Sequence, residues 1–283
     1  MERTRSWIQL NFAVCLFGLS AILATQMTVS PVLMVWGRAL FAFLAIHGVL
    51  ALRGVRPWRN RRPMEAGKLC LAGLVLAFHW IAFFMGVKHG GVALATLGFA
   101  SFPAFVIILT VIIYKEKPLA SDLAVIALIS LGLIMVTPSF DISAASSAGL
   151  IWGIISGLLY AVVIIGNRYL TKGVAAVESC WWQYLAISLL LLTVSAGTLP
   201  SISGRDWFWI LLMGLVCTGL AFTLFVTGLP KVRTSEAAVI SAMEPVYAIA
   251  MAWIFLGEAP SVKTMAGGAV ILSAVVWAAL KSR

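Results

Sequence analysis

Charged or proton-carrying side chains are scarce inside the apolar runs of this chain, and each costs roughly 2.5–3.5 kcal/mol at the centre of a membrane helix on insertion scales, so each is a functional candidate. Glu244, in the stretch SAMEPVYAIAMAWIFLGEAP at 241 to 260, lies about ten residues into its run, or about 15 Å along a helix. Pro245 follows it. Proline removes an N–H and frees the carbonyl four residues earlier, that of Ser241, so a carboxylate, a hydroxyl and an open carbonyl are expected together. Such a group suits a substrate amine or a proton; the alternative is a carboxylate paired internally to join helices.

Arg38 lies about seven residues, or about 10 Å, from the outer end of its run. Two roles are open to it: a cavity cation facing a substrate carboxylate or an acidic group, or a long side chain that snorkels to the interface in a structural or gating role. His79, Trp80 and Phe83 stand together in another run. The imidazole titrates near neutral pH and the indole can stack on a cationic or aromatic solute, while a hydrogen-bonded core histidine fits the same pattern. Trp152, Ser156, Tyr160, Val163 and Asn167 recur at helical spacing on one stripe. That stripe should face a cavity or a neighbouring helix, with Tyr160 near mid-depth.

No nucleophile motif, metal-ligand spacing or phosphate loop accompanies these residues, so no enzyme chemistry, cofactor or metal is expected. Cys15, Cys70, Cys180 and Cys217 fall inside apolar runs without paired spacing and read as small hydrophobes.

The elements that must position these side chains follow from composition. The chain is 62% hydrophobic and 11% charged, against about 25% charged in soluble domains. A hydrocarbon core of about 30 Å calls for about 20 apolar residues per helix. Ten runs meet this, at 8 to 28, 31 to 52, 67 to 87, 90 to 113, 119 to 137, 147 to 167, 177 to 197, 207 to 228, 234 to 256 and 262 to 280. The fold class is therefore all-α integral membrane. With a cytoplasmic amino terminus, the outer segments hold Lys88, Arg205 and Lys263, and every other Lys or Arg except the intramembrane Arg38 falls inside. This asymmetry places both termini in the cytoplasm of a bacterial-type inner membrane. It also accounts for the net charge of +10 without any nucleic acid. The basic loop from Arg53 to Lys68 reads as an orientation signal, with contact to anionic lipid as the alternative.

The halves resemble each other at a fixed offset of 142 residues: Gly86, Pro103, Glu116 and Pro118 precede Gly228, Pro245, Glu258 and Pro260. Residues 1 to 141 and 142 to 283 would each hold five spans, an odd number, so the second copy is inverted. Consistently, Lys115 and Lys117 flank Glu116 on the inner side, whereas the outer GEAPS lacks them. Inverted repeats underlie alternating access, with the substrate site near the midplane between them. Pro103, in GFASFPAF, reads as a helix break lining that site. Gly18, Gly73, Gly157, Gly214 and Gly219 read as close-packing positions.

WGRALFAFLA at 36 to 45, the pattern of small residues, Pro103, apolar helix and KEKP, and SAMEPVYAIAMAWIFLGEAP together resemble the EamA family of the drug/metabolite transporter superfamily. Tyr114 and Lys115 depart from that pattern, which often has Leu and Gly before the glutamate. The resemblance implies that helices one to four and six to nine surround a cavity and that five and ten are peripheral. It implies export of a small amphipathic metabolite, such as an amino acid. A lipid or lipid-linked carrier and an integral-membrane enzyme or accessory subunit are the alternatives. A small solute and membrane lipid are the expected partners; proton coupling and a homodimer are left open.

Overall fold

The computed structural model describes residues 2–59, 61–115, 117–137 and 144–281. Glu116 and the expected boundary at residues 141 and 142 lie outside them. The helices are α1 (Glu2–Gln26), α2 (Pro31–Leu52), α3 (Pro63–Phe99), α4 (Phe102–Tyr114), α5 (Ala120–Val136), α6 (Ala145–Leu170), α7 (Ala176–Ser195), α8 (Gly204–Gly214), α9 (Ala221–Gly228), α10 (Thr234–Ala242), α11 (Glu244–Leu256) and α12 (Val262–Lys281). No strand occurs among the described residues. Eight helical stretches are long and apolar enough to cross a membrane, and α4 and α5 are apolar but shorter.

Local chemistry sets the ends. Ser30 caps α2 by accepting from the Leu33 N–H at 3.3 Å, with Pro31 in the first turn. Ser203 does the same for α8, accepting from the Asp206 N–H at 3.0 Å. Each cap satisfies a donor that the helix itself leaves open.

The runs expected at 67 to 87 and 90 to 113 are separated by a turn at Gly91. Within α3 the chain turns back at Gly91, whose φ of 77° and ψ of 175° lie in a region that glycine reaches freely for want of a Cβ, so that a Cβ on Gly86 would lie 3.1 Å from the Ala95 Cβ. A second break follows at Ala100 and Ser101. There Pro103 has no N–H to offer, and the Ser101 hydroxyl donates to the Gly98 carbonyl at 2.6 Å. The region around Pro245 is a full interruption and not only a bend: α10 stops at Ala242, Met243 intervenes with φ −80° and ψ −6°, and Glu244 opens α11. Helices α4 and α11 are each 13 residues long, and both end on a left-handed residue, Lys115 (φ 56°) and Gly257 (φ 71°). Lys115 therefore adopts the backbone of its glycine counterpart despite carrying a Cβ.

Small residues let the backbones meet, which is how helices associate where lipid supplies no hydrophobic drive. Gly149 and Gly153 of α6 face Gly90 and Gly98 of α3, and a Cβ on Gly153 would lie 2.6 Å from the Ala95 carbonyl oxygen. Of the five glycines expected at contacts, Gly73 meets the Gln183 backbone, Gly157 meets Ser101 and Phe99, and Gly214 meets Arg38 and Phe41. Gly18 meets Ala248 and Gly219 meets Ala45. Helix α1 packs on α8, α9 and α11, α6 on α3 and α4, and α2 on α7 and α8. Helices α5 and α12 pack mainly on each other, around Ile129 and Ile271.

Gly153→Val should lower the thermal stability of the purified protein by about 1–3 kcal/mol, the usual cost of overpacking a close contact. Gly48→Ala, where nothing lies within 4 Å, should not lower it, since alanine favours the helix by about 0.5–1 kcal/mol. Equal melting temperatures for the two variants would contradict the α3–α6 contact.

Candidate functional site

A cavity of about 330 Å³ occupies the centre of the bundle, within the range of about 300–1,000 Å³ typical of small-molecule sites. Of the expected site residues, Arg38, His79, Trp80, Phe83, Tyr160, Asn167 and Glu244 line it. They come from α2, α3, α6 and α11. Helices α5 and α12 contribute nothing to the lining.

Arg38 is only 5% exposed, and its guanidinium turns into the bundle, away from the interface that snorkelling would have reached. Three features hold it. Its carbon Cζ sits 4.1 Å above the Trp80 ring and 5.6 Å from the Phe84 ring, and Nε donates to the Thr218 hydroxyl at 2.7 Å. Thr218 belongs to a π-helical turn, Leu215–Leu220, inserted between α8 and α9. The wider turn brings the Thr218 hydroxyl onto the Met213 carbonyl five residues back, at 3.0 Å, so its proton is used there and its lone pair faces Arg38. Trp80 is held in turn by Tyr184, at 5.7 Å between ring centroids.

Glu244 occupies the first turn of α11, where the helix dipole favours a negative charge. Its carboxylate makes no hydrogen bond or ion pair among the described residues. Arg38 lies within electrostatic range of it without pairing. The two opposite charges thus face one cavity with room between them. The Tyr160 hydroxyl also lacks a partner among the described residues, while its ring packs on His79 at 4.9 Å and on Phe99 and Phe102, both at 5.3 Å.

His79 is fixed by Ser156, with Nδ1 3.0 Å from the carbonyl and 2.9 Å from the hydroxyl. A carbonyl can only accept, so the proton sits on Nδ1 and the lone pair on Nε2. Ser156 is buried behind the histidine and does not line the cavity, because its polar groups are turned to the imidazole. Ser241 also lies outside: its hydroxyl donates to the Ala237 carbonyl at 2.9 Å within α10. Pro103 and Pro245 interrupt their helices but do not line the cavity. Phe99, just before the first break, and Glu244, just before Pro245, do.

Several lining residues carried no sequence signal. Gln183 donates to the Asn167 side chain at 3.3 Å and to the Ser179 hydroxyl at 3.1 Å, forming a polar rim. The cavity continues past this rim to Thr171, Val174 and the exposed Ala176, at the connection between α6 and α7. Nearby, Arg61 forms a two-pronged bond to Glu178 at 2.9 and 3.0 Å. That hydrogen bond holds the guanidinium above its ordinary pKa and ties the basic loop to α7. At the opposite end, Asp206 accepts from the Thr28 N–H at 2.8 Å and from the Thr28 hydroxyl at 2.6 Å, and Lys88 donates to the Met27 carbonyl. These bonds join the α1–α2 connection to α3 and α8 and close that side.

An apolar helical bundle around a polar-ended aromatic cavity is the architecture of an integral membrane carrier. Residues 5–137 and 147–280 each match the EamA-like transporter family, and the chain belongs to that family. An uncharacterized transporter of Archaeoglobus fulgidus is 31% identical over 247 residues, covering 84% of this chain and 83% of the relative. The pseudopaline exporter CntI of Pseudomonas aeruginosa is 25% identical over 249 residues, covering 86% and 84%. A solved crystal structure with 17% sequence identity has a similar fold, with a TM-score of 0.66 over 97% of this chain and 96% of that one.

Thr218→Val removes the acceptor for Arg38 and leaves the Met213 carbonyl without its donor. The expected loss is about 1–3 kcal/mol, read as a lower melting temperature of the purified protein. Thr218→Ser, which keeps the hydroxyl, should restore most of it.

Proposed function

We propose that this chain exports a small amphipathic solute carrying both an amine and a carboxylate, an amino acid or related metabolite, by alternating access through the central cavity. The observation that carries the reading is the placement of Arg38 and Glu244 on one aromatic-walled space without pairing. Opposite charges held apart offer complementary ends to a zwitterion, and the rings of Trp80, Phe83 and Phe99 suit an apolar or aromatic body. A phosphorylated solute would call for several cavity cations, whereas Arg38 is the one Lys or Arg among the lining residues. The relative named as a pseudopaline exporter supports export as the direction.

In this reading the chain crosses a bacterial-type inner membrane ten times, as two inverted five-helix repeats of about residues 1–141 and 142–283. Counting α3 as two crossings that meet at Gly91, continuing the second through α4, and adding α5 gives five crossings before the second family match begins. Three features support the repeat. The interruptions at Ser101 and Met243 stand at the same offset as Pro103 and Pro245. The left-handed ends at Lys115 and Gly257 stand at that offset too. Helix α6 packs on α4 as α1 packs on α11, which is the exchange a pseudo-two-fold axis demands. With both termini cytoplasmic, the cavity reaches the inner surface beside Arg168 and Lys172, and the Asp206 bonds close the outer one. The conformation is inward-facing.

Ligand binding is the first test, because a ligand of the folded state raises apparent stability. A screen of amino acids and related metabolites should find a stabilising zwitterion. Glu244→Gln and Tyr160→Phe should then weaken it by about tenfold or more, the usual consequence of losing a hydrogen bond to a charged group. Full stabilisation in Glu244→Gln would reject the site. For proton coupling, proteoliposome flux should follow a pH gradient through Glu244 or His79, and an unchanged response in the double variant Glu244→Gln with His79→Gln would exclude both. Topology is tested separately: labels placed at Lys115 and Glu258 should report opposite compartments.

A further inference from the structure

A second cavity, of about 260 Å³, lies away from the substrate site between the start of α1 and the end of α9, and is lined by Arg5, Ser6, Gln9, Thr227 and Lys231. Its wall is fixed by Gln9, whose amide donates to the Leu224 carbonyl at 2.8 Å and to the Thr227 hydroxyl at 2.7 Å. Both Gln9 protons are thereby used, and Thr227 spends its own on the Thr223 carbonyl at 2.7 Å. Apart from the Gln9 amide oxygen, which can only accept, the side-chain groups left to meet a ligand can donate. Arg5 and Lys231 are exposed and have no acidic partner among the described residues, and the nearby Glu236 is engaged with Arg233 at 2.8 Å. Ser6 is only 2% exposed, yet its hydroxyl has no hydrogen-bond partner among the described residues and lines the cavity. A concave space with two unpaired cations and an idle hydroxyl recognises a tetrahedral oxyanion.

The surroundings say which kind. Ile8 and Phe12 follow Arg5 at spacings of three and four, so they continue its face along α1, and both are more than half exposed. Trp7, next to Ser6 in sequence, and Leu229, two residues before Lys231, are also exposed. An indole at this level is typical of the headgroup region, and the apolar stripe beyond it lies where acyl chains run. From this juxtaposition we propose that the pocket between α1 and α9 binds the phosphate of an anionic phospholipid, with Arg5, Lys231 and Ser6 on the headgroup and Ile8 and Phe12 along a chain. Only the choice of the cytoplasmic leaflet rests on the orientation given above. The pocket bridges the first and second halves of the chain, where α1 and α9 also meet through Phe17 and Phe225 and through Leu10 and Gly228.

The test measures phosphatidylglycerol and phosphatidylcholine retained by the purified full-length chain, using native mass spectrometry from detergent. Wild type should retain phosphatidylglycerol in preference to phosphatidylcholine. Arg5→Gln with Lys231→Gln should weaken that retention by roughly fivefold for each cation removed, as for basic residues at an anionic surface. Ser6→Leu, which fills the cavity and leaves the charges in place, should weaken it as well. Arg59→Gln with Lys68→Gln, which removes the same charge elsewhere on the basic side, should not. Equal retention of the two lipids, or wild-type retention in Lys231→Gln and in Ser6→Leu, overturns the proposal. Displacement by inorganic phosphate at the lipid's own concentration also overturns it, in favour of a soluble phosphate ligand. No flux is measured, so failure here leaves the carrier reading standing, and failure of the carrier reading leaves this one.

Discussion

Hydrocarbon offers no partner to a backbone N–H or C=O, so a chain that crosses it can interrupt a helix only where protein supplies the missing bonds. Three interruptions in this chain obey that constraint. At Ser101 a side-chain hydroxyl closes the turn. The π turn at Leu215–Leu220 is closed by Thr218. The break at Met243 puts the first turn of α11 against Gly18 of α1. All three also deliver a cavity residue, respectively Phe99, Thr218 and Glu244. Interruption and cavity coincide because a regular helix has already used every backbone group, whereas a broken one must turn polar atoms inward.

The same constraint explains how a guanidinium persists almost without water at Arg38. Desolvating a cation is expensive, and the protein answers with the Trp80 face, the Thr218 oxygen and a carboxylate at a distance, none of which neutralises it fully. A direct bond to Glu244 would satisfy both groups and leave neither free to face the cavity. Separation by a cavity keeps each charge available while the electrostatic field between them lowers the cost of both. The aromatic neighbours serve twice, since the ring that receives Arg38 also walls the space beside it.

Much of this was legible in the residues. Intramembrane charge identified Arg38 and Glu244, the four-four-three-four spacing put Tyr160, Val163 and Asn167 on one lining face, and the proline pair at a fixed offset located both breaks. What escaped notice shares one physical property: it depends on partners remote in sequence. Gln183 has no distinguishing neighbour along α7 and gains its meaning from Asn167, on another helix. Ser156 looked like a lining residue because its face was right, but His79 approaches from α3 and takes both its polar groups. Arg38 appeared free to reach the interface until Trp80 and Thr218, from two other helices, were placed around it.

The π turn between α8 and α9 spends one more residue per turn than an α-helix does over a similar rise. Every side chain after it is consequently rotated by about 100° from the face that unbroken 3.6-residue winding would give it. Phe222, which lines the cavity, owes its direction to this phase change. Shortening the turn by one residue would both unfasten Arg38 and swing Phe222 toward a neighbouring helix. Chain length in this segment is thus a steric parameter of the cavity, as much as any of the side chains that project into it.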